Sequence, residues 1–237
     1  MEKIKNIALV CCRLGSKGLK QKNLKLFCGK PILFWLNKNL KKARIFDEIV
    51  LSTDSTRIKK IGIEYGMIIP GLRPKRLSKD NSDVFETHKY IFKKLSLTDY
   101  NSNICIVNNS PFLRSDYFSE TFKLFKKYNY TKVVLLAKKV DKDQIYFKQS
   151  IPKKNFLFPK FKKGLIQSKI NRHELPNYFY NLGDLRWGKT KMLSSFKNFN
   201  KQMSKGYLFK EISDYAHIDI NNITDWKFAQ KVFKMNL

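Results

Sequence analysis

Short apolar runs alternate with amphipathic segments along the first half of the chain. Each run is almost continuously hydrophobic, as is typical of strands that are buried on both faces of a sheet. The strands predicted in this way cover residues 7–12, 49–53, 67–69, 104–107 and 132–137. Most intervals between them are long enough for a helix, which predicts repeated strand–helix–strand units.

The segments between the strands show the helical period of 3.6 residues. Pro31 suits the first turn of the first helix, because its fixed φ matches helical geometry. The predicted helices cover residues 31–42, 83–97 and 117–128, with another through Ile58, Ile61 and Tyr65 that ends at Gly66. Because strand–helix–strand units are right-handed, this order predicts a three-layer, doubly wound α/β fold with a mostly parallel sheet.

The regular pattern stops between residues 138 and 205, where aromatic residues are dense and the helical period is weak. Such a region is an insertion that packs on a second subunit, a lid over a substrate, or a poorly patterned layer of the core. We favour the subunit contact, because many aromatic side chains on irregular structure need to be covered. Beyond this region, a strand is predicted over residues 215–220 and a last helix over residues 224–233.

Composition narrows the class of protein. A chain of 237 residues that is 43% hydrophobic can bury the core of one domain. The formal net charge of +29 suggests nucleic-acid binding, but the lysines are scattered and greatly outnumber the arginines, so we expect no specific nucleic-acid partner. Apolar runs are too short to span a membrane and no secretory signal is recognisable, so we expect a cytoplasmic protein with no membrane partner. The four cysteines form no C-x-x-C pair and are expected to be buried free thiols.

The loop after the first strand carries the clearest candidate chemistry. Residues 13–23 read Arg-Leu-Gly-Ser-Lys-Gly-Leu-Lys-Gln-Lys-Asn, which combines glycines with several cationic side chains. Glycine lets the backbone approach a ligand closely, and successive backbone N–H groups in such a turn can surround an anion. The segment is either a phosphate-binding loop or a solvated basic loop, and its spacing is neither G-x-G-x-x-G nor the Walker A pattern.

This loop and later segments occur in the order of a known family. Residues 7–23 match an apolar strand followed by A-R-x-G-S-K-G-x-x-x-K-N, and residues 29–31 match the next turn, G-K-P. Further matches are residues 49–54 to V-I-V-S-T-D, 72–80 to L-R-P-x-x-L-x-x-D, 110–112 to the end of Q-P-T-S-P-x, and 218–226 to I-D-I-D-T-x-x-D. In this order and spacing the chain resembles the acylneuraminate cytidylyltransferases, which make CMP-activated nine-carbon sugar acids.

The resemblance implies an enzyme that couples CTP to an acidic nonulosonic sugar of the sialic, pseudaminic or legionaminic type and releases pyrophosphate. The alternatives are a cytidylyltransferase for another sugar acid such as 3-deoxy-manno-octulosonate, a changed nucleotide, or a non-catalytic homologue that binds nucleotide or sugar. It also implies a single nucleotidyltransferase domain over residues 1–237, working as a homodimer. Residues 138–205 would form its dimerisation and sugar-binding subregion.

The resemblance also assigns site residues. Arg13 and Lys22 are the implied catalytic residues. The implied nucleotide-binding residues are Arg13, Gly15, Ser16, Lys17, Lys22, Asn23 and Arg73. The implied sugar-binding residues are Asn181, Asp184 and Arg186, in a segment whose Trp187-Gly188 is more similar to the pseudaminic-acid branch. A surface turn held by Trp187 is the alternative for that segment.

Two departures from the family pattern concern the base and the metal. Val107, Asn108 and Asn109 stand where the family has Gln, Pro and Thr. An amide can read a cytosine edge because it offers both a donor and an acceptor, so either Asn108 or Asn109 binds the base or the nucleotide preference has changed.

The expected cofactor is Mg²⁺, bound by Asp219 and Asn221, where the family has two aspartates. On the predicted strand these two side chains would face the same side. Either one carboxylate suffices, or Asp54 or Asp225 contributes, although Asp225 fits the cap of the last helix better. The histidines, His88, His173 and His217, lack metal-ligand spacing and are expected to be packing or surface residues.

Overall fold

The structure of the chain is a computed structural model that describes residues 3–15, 18–140, 150–153, 156–159, 177–213 and 217–235. The strands are β1 (Lys5–Cys11), β2 (Leu26–Phe27), β3 (Lys30–Pro31), β4 (Glu48–Ser52), β5 (Ser102–Asn108), β6 (Val134–Lys139), β7 (Ser150–Lys153), β8 (Phe156–Pro159), β9 (Phe179–Gly188) and β10 (Leu208–Ile212). The helices are α1 (Ile32–Ala43), α2 (Thr56–Glu64), α3 (Val84–Lys94), α4 (Ser115–Lys127), α5 (Thr190–Leu193), α6 (Phe196–Ser204) and α7 (Ile223–Met235).

A six-stranded sheet in the order β10-β6-β9-β5-β1-β4 forms the middle layer. β1 pairs in parallel with β4 on one side and with β5 on the other, and β10 pairs in parallel with β6. β9 lies antiparallel between β5 and β6. The chain thus moves outward from β1 in both directions, which confirms the doubly wound, mostly parallel α/β fold and creates a crevice at the carboxyl end of β1.

Helices cover both faces of the sheet because its central strands, such as β1 and β5, are buried on both sides. On one face, α1 and α4 pack on the strands through Leu36, Phe118 and Phe125. On the other face, α3 and α5 contribute Ile91 and Leu193 to a second cluster. These two helical layers and the sheet between them make the three layers that the pattern predicts.

A third cluster ties α7 to the front of the sheet. Phe27, from the β2–β3 hairpin, packs edge-to-face on Trp226 and Phe233 of α7. Leu19 and Ile220 are buried in the same cluster. The C-terminal helix therefore holds the loop after β1 and the segment before α7 against each other.

Two predicted elements are wrong in detail. Residues 67–69 make only an isolated bridge, between Val50 and Ile68, because Pro70 and Gly71 follow at once and stop the pairing. Residues 217–220 are not a strand, since they pair with no strand among the described residues. The predicted strand over 215–220 otherwise lies outside the described residues.

The region 138–205 is more regular than predicted. Residues 179–188 form β9, and α5 and α6 follow it. Trp187 is fully buried, donates its indole N–H to Thr121 Oγ1 (3.0 Å) and stacks on Phe46, so the surface-turn alternative is wrong. Its neighbours alternate between the two faces of the sheet, so the period is that of a strand and not of a helix. Residues 141–149, 154–155 and 160–176 of this region lie outside the described residues.

Candidate active site

A cavity of about 360 Å³ opens at the carboxyl end of β1. It lies between the loop after β1, the end of β5 and the segment 217–221. Its lining includes most of the residues that the sequence nominates: Arg13, Gly15, Gly18, Lys22, Asn23, Asn108, Asn109, Asp184, Asp219 and Asn221. The fold therefore brings together residues that are far apart in the sequence.

Two side chains, one from the end of the loop and one from the turn after β4, fix the start of the loop. Asn23 Nδ2 donates to the carbonyl oxygen of Arg13 (2.7 Å), and the backbone N–H of Leu14 donates to Asp54 Oδ1 (2.8 Å). These two groups belong to the same peptide unit, so its orientation is set from both sides. Asp54, a possible metal ligand from the sequence, therefore has one carboxylate oxygen engaged by the loop.

The cationic side chains of the loop contact different walls of the cavity. Arg13 forms an ion pair with Asp80 (2.7 Å) and donates to the carbonyl oxygen of Ser78 (3.4 Å). Lys22 Nζ donates to the carbonyl oxygen of Ile220 (3.0 Å). Both groups are partly exposed to the cavity, where a negatively charged ligand would meet them. Ser16 and Lys17 lie outside the described residues.

Gly18 is the point where the loop meets the segment 217–221. A Cβ atom at Gly18 would lie 1.7 Å from the carbonyl oxygen of Asn221 and 2.8 Å from its carbonyl carbon. Only glycine permits such an approach of two backbones. At Gly15, by contrast, a Cβ atom would meet nothing within 4 Å.

Asp219 and Asn221 lie side by side although they are not on a strand. Asn221 Nδ2 donates to Asp219 Oδ2 (2.9 Å), which leaves the amide oxygen of Asn221 and the second carboxylate oxygen of Asp219 for other partners. Oxygen ligands of this kind suit Mg²⁺, which is commonly held by one or two carboxylates together with substrate phosphates. The described residues contain no group of three or more His, Cys, Asp or Glu side chains that could hold a metal ion. The remaining oxygen atoms of Asp219 and Asn221 are of the type that Mg²⁺ binds, so this pair of donors fits the cation.

Asp225 has a different role from the metal ligand that the sequence left open. Its Oδ2 accepts from the backbone N–H groups of Asn221 (2.8 Å) and Asn222 (3.1 Å), while Asn222 Oδ1 accepts from the N–H of Asp225 (2.9 Å). This reciprocal pair caps the N-terminus of α7. The preference for a helix cap at Asp225 is confirmed.

A polar network joins β5, β9 and the segment 217–221. Asn108 Nδ2 donates to Asp184 Oδ1 (3.3 Å), and His217 Nδ1 donates to Asp184 Oδ2. The hydrogen bond to Asp184 raises the pKa of His217 above its usual value. Both carboxylate oxygens of Asp184, which the sequence nominates for sugar hydroxyls, are thus engaged by protein groups on one side of the cavity.

Asn109 turns toward the loop. Its Nδ2 donates to Asn23 Oδ1 (3.0 Å) and contacts Cys12 Sγ (3.5 Å). Its Oδ1 is buried and has no partner among the described residues. The amide nitrogens of Asn108 and Asn109 are therefore both used within the protein, and base reading by these residues stays a prediction.

The other nominated residues lie near the cavity without lining it. Arg73 is 8% exposed, and its Nε and Nη2 have no hydrogen-bond partner among the described residues. The guanidinium of Arg186 lies over the Phe199 ring (5.5 Å to the centroid), and burial lowers its pKa. Asn181 is exposed, and its Oδ1 accepts from the Gly183 N–H (3.0 Å). The positions of Arg73, Arg186 and Asn181 therefore do not by themselves assign any of them to ligand binding.

His217 is a cavity residue that the sequence does not single out, and His88 is more deeply buried than the sequence indicates. His217 lines the cavity, and its only sequence signal is its place two residues before Asp219. His88 is completely buried in α3, where Nδ1 donates to the Leu193 carbonyl oxygen (3.2 Å). Burial, aided by the nearby charge of Arg186, lowers the pKa of His88 to about 4. The four cysteines are free as expected, but Cys11 and Cys28 are only partly buried.

Comparison with known proteins places these features in a family. A family model described as cytidylyltransferase matches residues 7–159. A CMP-N,N'-diacetyllegionaminic acid synthase of Legionella pneumophila is 27% identical, with 97% of each chain covered. A pseudaminic acid cytidylyltransferase of Campylobacter jejuni is 24% identical, with 98% of each chain covered. An N-acylneuraminate cytidylyltransferase of Escherichia coli is 28% identical over 95% of this chain and 51% of its own length.

Solved structures of low sequence identity share the fold. A CMP:2-keto-3-deoxy-manno-octonic acid synthetase complexed with CTP superposes with a TM-score of 0.72 at 12% identity, covering 98% of this chain and 100% of the other. A 4-diphosphocytidyl-2C-methyl-D-erythritol synthase of Anaerococcus prevotii has a TM-score of 0.57 at 17% identity, covering 98% and 99%. Among the described helices of this chain, none is long and apolar enough to cross a membrane.

Proposed function

The chain belongs to the cytidylyltransferase family, and from this premise we propose that it transfers the cytidylyl group of CTP to a nonulosonic sugar acid. The products are a CMP-sugar and pyrophosphate. The full-length similarity to enzymes named for legionaminic and pseudaminic acid supports this substrate class over other sugar acids. The observation that carries the proposal is the cavity in which the glycine-rich loop faces Asp219 and Asn221.

In the proposed reaction, the anomeric hydroxyl oxygen of the sugar acid forms a bond to the α-phosphorus of CTP. The bond from that phosphorus to the bridging oxygen breaks, pyrophosphate leaves, and the hydroxyl loses its proton. Because negative charge accumulates on the phosphates, catalysis depends on positioning and on cations. Lys22 and Arg13 supply positive charge, and backbone N–H groups near Gly15 supply donors, with Ser16 and Lys17 assigned here by resemblance alone.

We place Mg²⁺ at Asp219 and Asn221, where carboxylate and amide oxygens lie together on the cavity wall formed by the segment 217–221. A cation held by these two residues would supply positive charge that neutralises the phosphates. The hydrogen bond between Lys22 and Ile220 joins this segment to the loop and so fixes the distance between the two groups that hold the triphosphate.

The residues proposed for the nucleotide and those proposed for the sugar acid meet at the end of β5, where Asn108 donates to Asp184. Asn23 and Arg73 bind the nucleotide, with Asn108 and Asn109 at the end of β5. Asn181, Asp184 and Arg186 of β9 bind the sugar acid, and the guanidinium of Arg186 suits its carboxylate. The buried and unpartnered nitrogens of Arg73 support its assignment, because a ligand acceptor there would satisfy donors that are costly to leave unpaired.

We also propose that the enzyme is a cytoplasmic homodimer. Four free cysteines suit a reducing compartment. Tyr178 and Tyr180, within the subregion 138–205, expose 41% and 48% of their surface, which supports a subunit contact there. Light scattering during size-exclusion chromatography should give the mass of two chains, and a monomer at all concentrations would contradict the contact.

The proposed activity is tested by incubating the protein with Mg²⁺, each nucleoside triphosphate and a panel of sugar acids, with pyrophosphate release as the readout. We expect release only when CTP meets a legionaminic-, pseudaminic- or sialic-type acid. Release only with 3-deoxy-manno-octulosonate would favour the other sugar-acid class. Binding of CTP with no release in any combination would show a non-catalytic homologue.

A further inference from the structure

Asn109 connects the end of β5 to the loop that faces the cavity. Its Nδ2 donates to Asn23 Oδ1 (3.0 Å), and Asn23 Nδ2 donates to the carbonyl oxygen of Arg13 (2.7 Å). Asn23 is 8% exposed, so both bonds are largely shielded from water. A chain of two amides therefore runs from the sheet to the first peptide of the loop.

The two amides can be oriented in only one way, because an amide nitrogen donates a hydrogen bond and an amide oxygen accepts one. A carbonyl oxygen can only accept, so Asn23 must turn its nitrogen toward Arg13 and its oxygen toward Asn109. Asn109 must then supply the donor. Rotating the Asn23 amide by 180° would break both bonds, and rotating the Asn109 amide would set two acceptor oxygens against each other and break the bond between the two amides, so Asn109 holds Asn23 in its orientation.

The peptide unit between Arg13 and Leu14 is held from its other side as well. The N–H of Leu14, which belongs to the same peptide unit as the Arg13 carbonyl, donates to Asp54 Oδ1 (2.8 Å) after β4. One peptide plane is thus pinned from β5 through Asn109 and Asn23, and from β4 through Asp54. Gly15, which lines the cavity, comes directly after it.

We propose that Asn109 is a positioning residue for the phosphate-binding loop and acts through Asn23, without needing to touch the nucleotide base itself. The proposal deepens the proposed function, since it rests on the loop binding the triphosphate of CTP. Loss of Asn109 leaves Asn23 free to rotate, so the peptide at Arg13 loses one of its two anchors. The loop then has to be ordered by the ligand, which weakens binding of CTP more than it slows the chemical step.

The chain offers a closely matched control near the other end of β5. Asn103 Nδ2 donates to Asn6 Oδ1 (2.9 Å), which is the same type of bond between β5 and β1 at the opposite end of the sheet. Like Asn109, Asn103 has a buried Oδ1 without a partner among the described residues. Asn103→Ala should therefore cost folding stability in a similar way without reaching the loop.

The first experiment is hydrogen exchange on the protein alone, which tests the inference even if CTP does not bind. In Asn109→Ala, the amides of Leu14, Gly15 and residues 18–24 should exchange roughly tenfold faster than in the wild type, as loss of one shielded hydrogen bond implies. In Asn103→Ala they should exchange at the wild-type rate. Equal exchange of the loop in Asn109→Ala and the wild type would overturn the proposal.

The second experiment measures CTP affinity by calorimetry in a cycle of Asn23→Ala, Asn109→Ala and the double variant. Asn109→Ala should weaken CTP roughly tenfold, with a higher KM for CTP and a nearly unchanged kcat. In the Asn23→Ala background the same change should have little further effect, because the two amides act as one unit. Fully additive losses, or an equal loss in Asn103→Ala, would contradict a role through Asn23. Failure of the wild type to bind CTP would refute the proposed function and not the exchange result.

Discussion

Substitution of Gly18 by alanine should separate the loop from the segment 217–221. The added Cβ would lie 1.7 Å from the backbone oxygen of Asn221, whereas ordinary contacts begin near 3.4 Å. The two backbones must therefore move apart by about 1.7 Å, since the neighbouring atoms are backbone and no flexible side chain is available to yield. That movement would stretch the bond between Lys22 Nζ and the Ile220 carbonyl oxygen well beyond its present 3.0 Å.

The cost should appear mainly in turnover. Lys22 lies on one side of this contact and the candidate cation ligands Asp219 and Asn221 lie on the other. A misplacement of about 1 Å between groups that position a reacting phosphate typically costs about 10²-fold in rate. We therefore expect Gly18→Ala to lower kcat/KM for CTP by about that factor. The assay is pyrophosphate release at saturating sugar acid, alongside the thermal unfolding midpoint.

Gly15→Ala is the matched structural control, because a Cβ atom there meets nothing within 4 Å. It should leave the unfolding midpoint and the contact between Gly18 and Asn221 unchanged. Wild-type kcat/KM in Gly18→Ala would refute the reasoning, since it would mean that the spacing of loop and segment does not matter for the reaction. If Gly18→Ala is unfolded at room temperature, the contact is required for folding. The turnover of Lys22→Ala then becomes the test of this part of the site.

Three further predictions concern Lys22, Asn221 and His88. Lys22→Ala should lower turnover at least about 100-fold while the unfolding midpoint changes little, because Lys22 is partly exposed and its charge faces the cavity; unchanged turnover would remove it from the phosphate site. Asn221→Asp should raise activity at low Mg²⁺, because a second carboxylate beside Asp219 strengthens a cation site; no effect at any Mg²⁺ concentration would give Asp219 another role. Lowering the pH from 7 to 5 should destabilise the fold by about 2 kcal/mol through His88, whose pKa falls from 6.5 in the unfolded chain to about 4 in the fold. This stability is present above pH 6.5 and is lost as the pH falls toward 4, so urea unfolding of His88→Leu should show a smaller loss between pH 7 and 5, and an equal loss would contradict it.

Local patterns in the sequence were sufficient for the strands that are hydrophobic on both faces. β1, β4, β5 and β6 lie where the apolar runs predict them, because burial between two helical layers demands such runs. β9 escaped this reasoning because its exposed first half carries Tyr180 and Asn181, and only its second half is buried. Its antiparallel place between β5 and β6 depends on the return path of the chain, which no local pattern encodes.

The candidate site, like the sheet, can be predicted only in part from local sequence patterns. The loop after β1 is visible in the sequence because glycines and cations are concentrated in one short stretch. The hydrogen-bond partners of Asn109 and Asp184 are not visible in the sequence, because each of these side chains joins segments more than 30 residues apart. Asp219 and Asn221 lie together as predicted, but for a different reason: a hydrogen bond between the side chains rather than the alternation of a strand.

We expect the chain to move the cytidylyl group of CTP onto a sugar acid at the cavity beside this loop. Following two radioactive labels in parallel reactions tests it most directly. With CTP labelled at the α-phosphorus, the account predicts that the label appears in the sugar product; with CTP labelled at the γ-phosphorus, it predicts that the label leaves as pyrophosphate. Transfer of the γ-label to the sugar, or retention of both labels in CTP with every sugar acid, would contradict it.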